Sequence, residues 1–436
     1  RARSDLFLPE GGPLYEFRAL RLLESERHRA DWDELAQALE ARQEGLPTLL
    51  VAEAGFPEAW LSRLREGLGL LPEEVLPLAP PLDLGFLEAL AAEGPAEWRF
   101  PPLRPERPRA FLKHPLKRLL ERDLLLHHPF EAYAAVERFA LAALEPEVEE
   151  VWATLYRIGE ENPLAETLIQ AARMGKRVHV LLEGRARFDE LLNLRWYLRL
   201  LRAGVAVLPL SERKVHAKAL LLLTREGGYA HLGTGNYNPQ NGLLYADFSL
   251  FTAREGLVRE LAAFFRALEA GRSPSLSLLK TGEAIQRFLV EATLAEAHPK
   301  GRVILKCNHL TDPALLEALV QAAEKGAWVD LLVRSTLSLL HPAFRAQSLV
   351  GRFLEHARVA AFRRGGAWEV YLTSADLMPR NFQNRFELLF PVLDREARRK
   401  VLKALKRQLK DDRNRFLLTP QGEKWLWEGK RDAHRP

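Results

Sequence analysis

From Leu168 to Leu182 the chain reads LIQAARMGKRVHVLL. Apolar residues first recur every three or four positions, as on one face of a helix, and then, past a glycine, form a short apolar strand. The pattern returns 151 residues later as LVQAAEKGAWVDLLV, Leu319 to Val333. Leu168 matches Leu319, Gln170 matches Gln321, and Ala171-Ala172 match Ala322-Ala323. Gly175 then matches Gly326, Val178 matches Val329, and Leu181 matches Leu332. Each helix is expected to close on its glycine at the C′ position. Each is preceded by a further strand candidate, EVWATLYR (Glu150 to Arg157) and RVILK (Arg302 to Lys306). Strand, helix, strand with a right-handed crossover builds a largely parallel sheet, and its repetition predicts two tandem α/β domains.

The boundaries follow from where the repeat is missing. Residues 1–115 lack it and read as a small α+β head domain, helices around the strand TLLVA (Thr48 to Ala52), ending in the proline-rich PPLRPERP (Pro101 to Pro108). The first α/β domain is expected over 116–272, up to the breaker GRSPS (Gly271 to Ser275), and the second over 273–436. The second closes with a basic helix around ARRKVLKALKR (Ala397 to Arg407), read as a solvated surface with a polyanion-facing role as the alternative.

One apolar run carries charge where a core strand should not. Lys214 to Thr224, KVHAKALLLLT, reads as a strand whose start holds Lys214, His216 and Lys218. His216 and Lys218, two apart, would share one face. Cations at the head of a buried strand call for an anion to meet them. The triplet alone carries no weight: with 12 His and 63 Lys plus Arg, about 1.7 His-x-Lys/Arg triplets arise by chance. Three occur, at His216, His298 and His356. His216 is followed 20 residues on by Asn236 in GTGNYNP, and His356 is followed 20 residues on by Asp376 in SADLMPRN. His298 has no such sequel and is the chance occurrence. Equal spacing in two halves of a duplication predicts two halves of one site.

Composition narrows the setting. A chain of 436 residues, 47% hydrophobic and 28% charged, has room for two or three globular cores. Its longest apolar runs, such as Ala219 to Leu223, are too short to span a bilayer. Asp5, Glu10 and Glu16 interrupt any secretory leader at the start. The single Cys307 excludes an internal disulfide and a cysteine-based zinc site, and a cytoplasmic setting is expected. A net charge of +5 fits a polyanionic partner but does not choose among nucleic acid, lipid headgroups and phosphate compounds.

With these motifs the sequence resembles polyphosphate kinase of the phospholipase D-like superfamily. The matching strings are DLLLHHPF (Asp123 to Phe130), TLYR (Thr154 to Arg157), RARFDE (Arg185 to Glu190), KVHAK and HLGTGNYNP (His231 to Pro239). In the second half they are LVGRFLEHAR (Leu349 to Arg358) and YLTSADLMPRN (Tyr371 to Asn381). They run in order from 121 to about 392, while the region from Phe17 to Ala52 resembles the family's head domain only faintly. The family's N-terminal helical domain is expected to be missing and the head to be shortened. Where the family has Lys and Arg ahead of its Leu-Tyr pair, Gln240 and Leu243 stand here, a departure that bears on rate and nucleotide affinity.

The resemblance implies an architecture and a chemistry. Two phospholipase D-like α/β domains would form a shared site that moves the terminal phosphate of ATP reversibly onto inorganic polyphosphate through a phosphohistidine. His216 would be the nucleophile, apt because a neutral imidazole needs no prior deprotonation. Lys218 would hold a transferring oxygen and Asn236 would donate a hydrogen bond, placed where charge spreads in the transition state. His356 would serve from the opposite side as proton donor or acceptor at the bridging oxygen. Arg157, Arg187, Arg334 and Arg385 match positions that contact nucleotide or metal, Tyr245 matches a nucleotide contact, and Arg358 and Arg380 join the phosphate-binding set. The family's Mg²⁺ is associated with the positions of Arg157 and Arg187. A guanidinium has no lone pair, so both are expected to bind phosphate oxygens whose Mg²⁺ arrives with the nucleotide. Tyr156 and Phe188 read as core. The expected partners are ATP, ADP and polyphosphate, with no nucleic acid, and a homo-oligomer is expected. Two other readings stay open: a phospholipase D-like phosphodiesterase or nuclease, and a non-catalytic polyphosphate-binding protein.

Overall fold

The computed structural model describes residues 17–20, 32–37, 48–82, 84–186, 189–209, 213–426 and 429–435. The chain divides into two compact units, one within residues 1–102 and one over 103–436 together with 30–32. In the first, strand Leu49–Glu53 pairs antiparallel with Phe17–Leu20 and parallel with Val75–Leu78. Helix Glu58–Gly67 makes the crossover between the parallel pair, as a parallel connection requires.

The second unit holds both copies of the repeat. Strand Glu150–Leu155, buried at all six positions, leads to helix Pro163–Arg173 and then to the parallel strand Arg177–Leu182. Strand Arg302–Leu310, helix Pro313–Glu324 and parallel strand Trp328–Leu337 repeat the unit. The helix ends are copied as well. Asn162 and Asp312 cap the two helices by accepting the backbone N–H of Ala165 and Leu315, with proline next in each case. That is the preferred chemistry of a helix start. Gly175 and Gly326 take φ of 84° and 90°. The amide of each bonds the carbonyl three back, and the next amide bonds the carbonyl five back (Lys176 to Ala171, Ala327 to Ala322). Both helices therefore end in the Schellman arrangement, which needs a left-handed residue at C′.

The sheets are mixed, and this corrects the expectation of a largely parallel arrangement. Past the parallel strands, Ala219–Leu223, Gly228–Gly233 and Tyr245–Thr252 pair antiparallel in succession. The four-residue connection 224–227 is too short for a crossover, so the chain must return as a hairpin. The second half does the same with Arg358–Arg364, Ala367–Thr373 and Leu389–Pro391.

The two halves are interleaved. Leu354–Glu355, from the second, pairs parallel with Tyr245–Ala246 at the edge of the first sheet. Lys214–Val215, from the first, pairs parallel with Arg385–Phe386 of the second. One apolar cluster draws on both, with Trp152, Leu221 and Phe265 from one half and Ile304, Phe390 and Leu405 from the other. No helix among the described residues is long and apolar enough to cross a membrane.

Candidate active site

The run from Lys214 to Thr224 is two strands with a break at residues 216–218. This corrects the expectation of one unbroken strand. The cause is tertiary: the backbone N–H groups of His216 and Ala217 both bond the carbonyl of Phe386, at 2.9 Å each. Two amides on one carbonyl throw the register out and re-aim the side chains, as a bulge does. In the second half His356 and Ala357 share the carbonyl of Ala246 in the same way, at 3.2 and 2.9 Å. Each histidine thus stands where one half of the fold reaches across to the other.

Each also takes its carboxylate from the opposite half. His216 Nδ1 lies 2.9 Å from Glu387, and His356 Nδ1 lies 2.8 Å from Asp247. A carboxylate only accepts, so Nδ1 carries the proton and Nε2 keeps its lone pair. Sequence reasoning missed both acids. Their signal is a further equal spacing, since Asp247 follows Asn236, and Glu387 follows Asp376, by eleven residues. Their supports repeat too: Thr234 Oγ1 donates to Asp247 and Ser374 Oγ to Glu387, both at 2.6 Å. Each hydroxyl also accepts a backbone N–H, from Phe248 or Leu388.

Burial sets the protonation states. It pulls His216 down to about 3, against the opposing pull of Glu387. Burial would raise Glu387, but the His216 ring and its hydrogen bond, then the charges of Lys218 and Arg385, bring it down to about 2. The pair is therefore a neutral imidazole on an ionised carboxylate at neutral pH. His356 is likewise lowered by burial, helped by Arg358 and Lys218 and opposed by Asp247. Asp247 stays below the usual carboxylate range, because His356, Thr234 and Arg358 outweigh its burial. Lys218, fully buried, is driven well below an ordinary lysine. Its ammonium donates to the carbonyl of His216 and lies 5.5 Å from the Tyr156 ring.

The other expected residues divide by distance from this centre. Arg358 lies in it, but Nε and Nη2 bond Asp376 at 3.3 and 3.0 Å, and Nη1 faces His356 Nε2 at 3.1 Å. Arg334 reaches the same cluster through Asn308, whose backbone amide bonds Asp376. Arg385 lies 3.9 Å from Glu387. The Tyr245 ring is 5.3 Å from that of His356. Asn236 is buried, its side-chain oxygen without a partner among the described residues. Tyr156 is only half-buried and meets the His216 ring edge-on at 4.8 Å, so it lines the site and is not core. Arg157, following strand Glu150–Leu155, lies 3.6 Å from Asp189. Arg380 is exposed on helix Pro379–Gln383, and Gln240 and Leu243 are exposed too. Arg187 and Phe188 lie outside the described residues. His298 bonds the amide of Lys300 in an exposed turn, with no tie to the site.

Two family models match the second unit. Polyphosphate kinase C-terminal domain 1 matches residues 114–274, and polyphosphate kinase C-terminal domain 2 matches residues 281–434. Among relatives, polyphosphate kinase 1 of Chlorobaculum tepidum is 40% identical over 319 residues, which is 69% of this chain and 46% of that protein. A polyphosphate kinase of Pseudomonas aeruginosa is 35% identical over 436 residues, 94% of this chain and 63% of that one. The chain thus spans from about half to just under two thirds of the length of these relatives. Among solved structures, a polyphosphate kinase from Porphyromonas gingivalis gives a TM-score of 0.77 at 30% identity, covering 89% of this chain and 63% of the other. A phosphatidylserine synthase from Haemophilus influenzae shares the fold alone, with a TM-score of 0.50 at 12% identity over 72% of this chain and 92% of the other.

Proposed function

The chain belongs to the polyphosphate kinase family, and from that premise we propose that it transfers the terminal phosphate of ATP reversibly to inorganic polyphosphate through a phosphohistidine at His216. The observation that carries this reading is the state of His216: a neutral ring, its Nδ1 held by Glu387. That leaves Nε2 with its lone pair and without a partner among the described residues.

Nε2 attacks the terminal phosphorus of ATP, the bond from that phosphorus to the bridging oxygen breaks, and ADP leaves with the electron pair. An end oxygen of the polyphosphate chain then attacks the phosphohistidine, the P–N bond breaks, and the imidazole is restored with the chain one unit longer. Glu387 offsets the charge the ring gains when phosphorylated. Lys218 and Arg385, beside the ring, face the equatorial oxygens, where a loose transition state concentrates charge. His356, neutral at rest, takes a proton from the incoming terminal phosphate and returns it to the bridging oxygen in the reverse direction. Tyr245 and Arg334 border the His356 side, where the nucleotide is placed in this reading.

Mg²⁺ fits this site only as an ion carried by nucleotide phosphates. Among the described residues no group of three His, Cys, Asp or Glu side chains is placed to hold a metal, and guanidinium groups have no lone pair to offer. Arg157 and Arg187 then act on the phosphates, and the ion neutralises phosphate charge when bound. ATP, ADP and polyphosphate are the partners, in a cytoplasmic homo-oligomer.

Incubation with terminally labelled ATP and Mg²⁺ tests the reading. Acid-labile label should appear on the protein and be discharged by ADP or by polyphosphate. His216→Ala, folded by circular dichroism, should accept no label and catalyse no exchange. Full exchange in that variant would overturn the mechanism.

A further inference from the structure

The exposed face of helix Arg395–Leu409 carries charge of one sign. Arg399, Lys403, Lys406 and then Lys410 at its C-cap follow one another at spacings of three and four residues. They form a single stripe about 16 Å long, at 1.5 Å of rise per residue. An exposed helix ordinarily alternates acid with base at these spacings so that neighbours attract. Here the one acid, Glu396, sits in the first turn and pairs with Arg122. The helix dipole accounts for cations in the last turn, but not for a stripe over three turns.

A second wall faces this stripe. The segment 430–435 runs alongside and encloses with it a groove of about 640 Å³, lined by eight Lys and Arg side chains with Leu402 and Asp432. Arg431 is engaged by Asp412 and Arg435 by Asp432, while Arg407 donates to the carbonyl of Arg435. Arg399, Lys403, Lys406, Lys410 and Lys430 have no carboxylate partner among the described residues. With Arg407, which bonds a carbonyl and not a carboxylate, six cations in one walled groove lack a carboxylate among the described residues and attract a polyanion.

The groove is not the histidine site. The opposite, buried face of the same helix packs Val401 and Leu405 into the core. Gln408, on that face, donates to Glu355, the residue before His356. The helix thus presents one face toward the reacting centre and the groove on the other.

We propose that this groove holds a length of inorganic polyphosphate away from its reacting end. The proposal rests on the reading of polyphosphate as the substrate. The lining favours such a chain over nucleic acid, because it offers no aromatic side chain on which a base could stack. Half of its cations are lysines, which supply mobile point charges suited to a flexible chain without fixed geometry. A chain held there keeps its free end at high effective concentration near the histidines, so chain length should govern apparent affinity.

The test is the full chain carrying Lys403→Gln, Lys406→Gln and Lys410→Gln together, exposed changes that leave the packed face intact. ATP formation from ADP is measured with long-chain polyphosphate and with tripolyphosphate, and binding of fluorescent long-chain polyphosphate is measured beside it. The KM for the long chain should rise about tenfold or more as phosphate contacts are lost, with kcat and the KM for tripolyphosphate unchanged. An equal KM for the long chain in variant and wild type overturns the groove. If the wild type turns over no polyphosphate, the functional reading fails and binding alone judges the groove: about tenfold weaker binding by the variant upholds it, equal binding overturns it. A variant that loses single-stranded DNA while keeping polyphosphate also overturns it, in favour of a nucleic-acid site.

Discussion

His216 and His356 occupy matching positions, yet their neighbours differ in a way that separates their roles. The residue two after His216 is Lys218, and the residue 20 after it is the neutral Asn236. The same positions after His356 hold Arg358 and Asp376, which bond each other through two hydrogen bonds. A cation locked to a buried acid has little left for a phosphate, whereas Lys218 lacks such a dedicated acid and donates to the carbonyl of His216. This contrast supports the proposed assignment of His216 as nucleophile and His356 as proton carrier. Asp376→Asn should strand the buried Arg358 charge and cost about 3–5 kcal/mol, read as a shift in the urea midpoint. Arg358→Lys with Asp376→Asn recreates the first half's pair and should recover part of that loss. A double variant no more stable than the single would refute the exchange. Both histidines, Lys218 and Asn236 could be read from the sequence because each lies in a local string of fixed spacing. Asp247 and Glu387 could not, because each serves an imidazole 109 or 171 residues away in the other half. Only their recurrence at eleven residues betrays them.

Turns and breaks place these side chains, and here local pattern went partway. The paired helices, their proline starts and their glycine ends were readable, because caps are set by residues within one turn. The break at 216–218 was not, since it depends on the carbonyl of Phe386. Nor was the direction of the later strands: an apolar run fixes burial, and the partner fixes direction. Gly235 shows how tightly one loop is held. A Cβ there would stand 2.5 Å from a carboxylate oxygen of Asp247, the group that holds His356 in its tautomer. Gly235→Ala should therefore push Asp247 off His356 and lower turnover by about 10²-fold or more, the range of a lost acid–base contribution. Gly227→Ala, where a Cβ meets nothing within 4 Å, is the matched control and should leave turnover unchanged. Equal rates for the two variants in a steady-state assay would show that the loop yields without disturbing the site.

Neither half closes the site alone, because each lends the other a two-residue strand and a carboxylate. Acid should therefore act on a unit shared by both halves. Three imidazoles, the buried His216 and His231 and the partly buried His127, are each pulled by desolvation to about 3. His127 Nε2 and His231 Nε2 have no partner among the described residues, so a proton there would meet no acceptor. Between about 6.5, where an unfolded imidazole titrates, and about 3, the unfolded chain binds protons that the folded chain refuses. Stability must then fall as pH drops through 6.5, by up to about 1.4 kcal/mol per pH unit for each imidazole. Glu355 and Glu387 are also lowered, by neighbouring cations and hydrogen bonds against the pull of burial, and act on stability with the same sign. Both are held near 2 in the fold, so their contribution is complete above the unfolded glutamate value and drains away as pH falls from there toward 2. Thermal unfolding followed by circular dichroism should show Tm declining from just below pH 6.5, then more steeply below about pH 4.5. A Tm flat from pH 7.5 to 5 would mean that these imidazoles accept protons in the folded state. That outcome would remove the neutral His216 on which the nucleophilic reading depends.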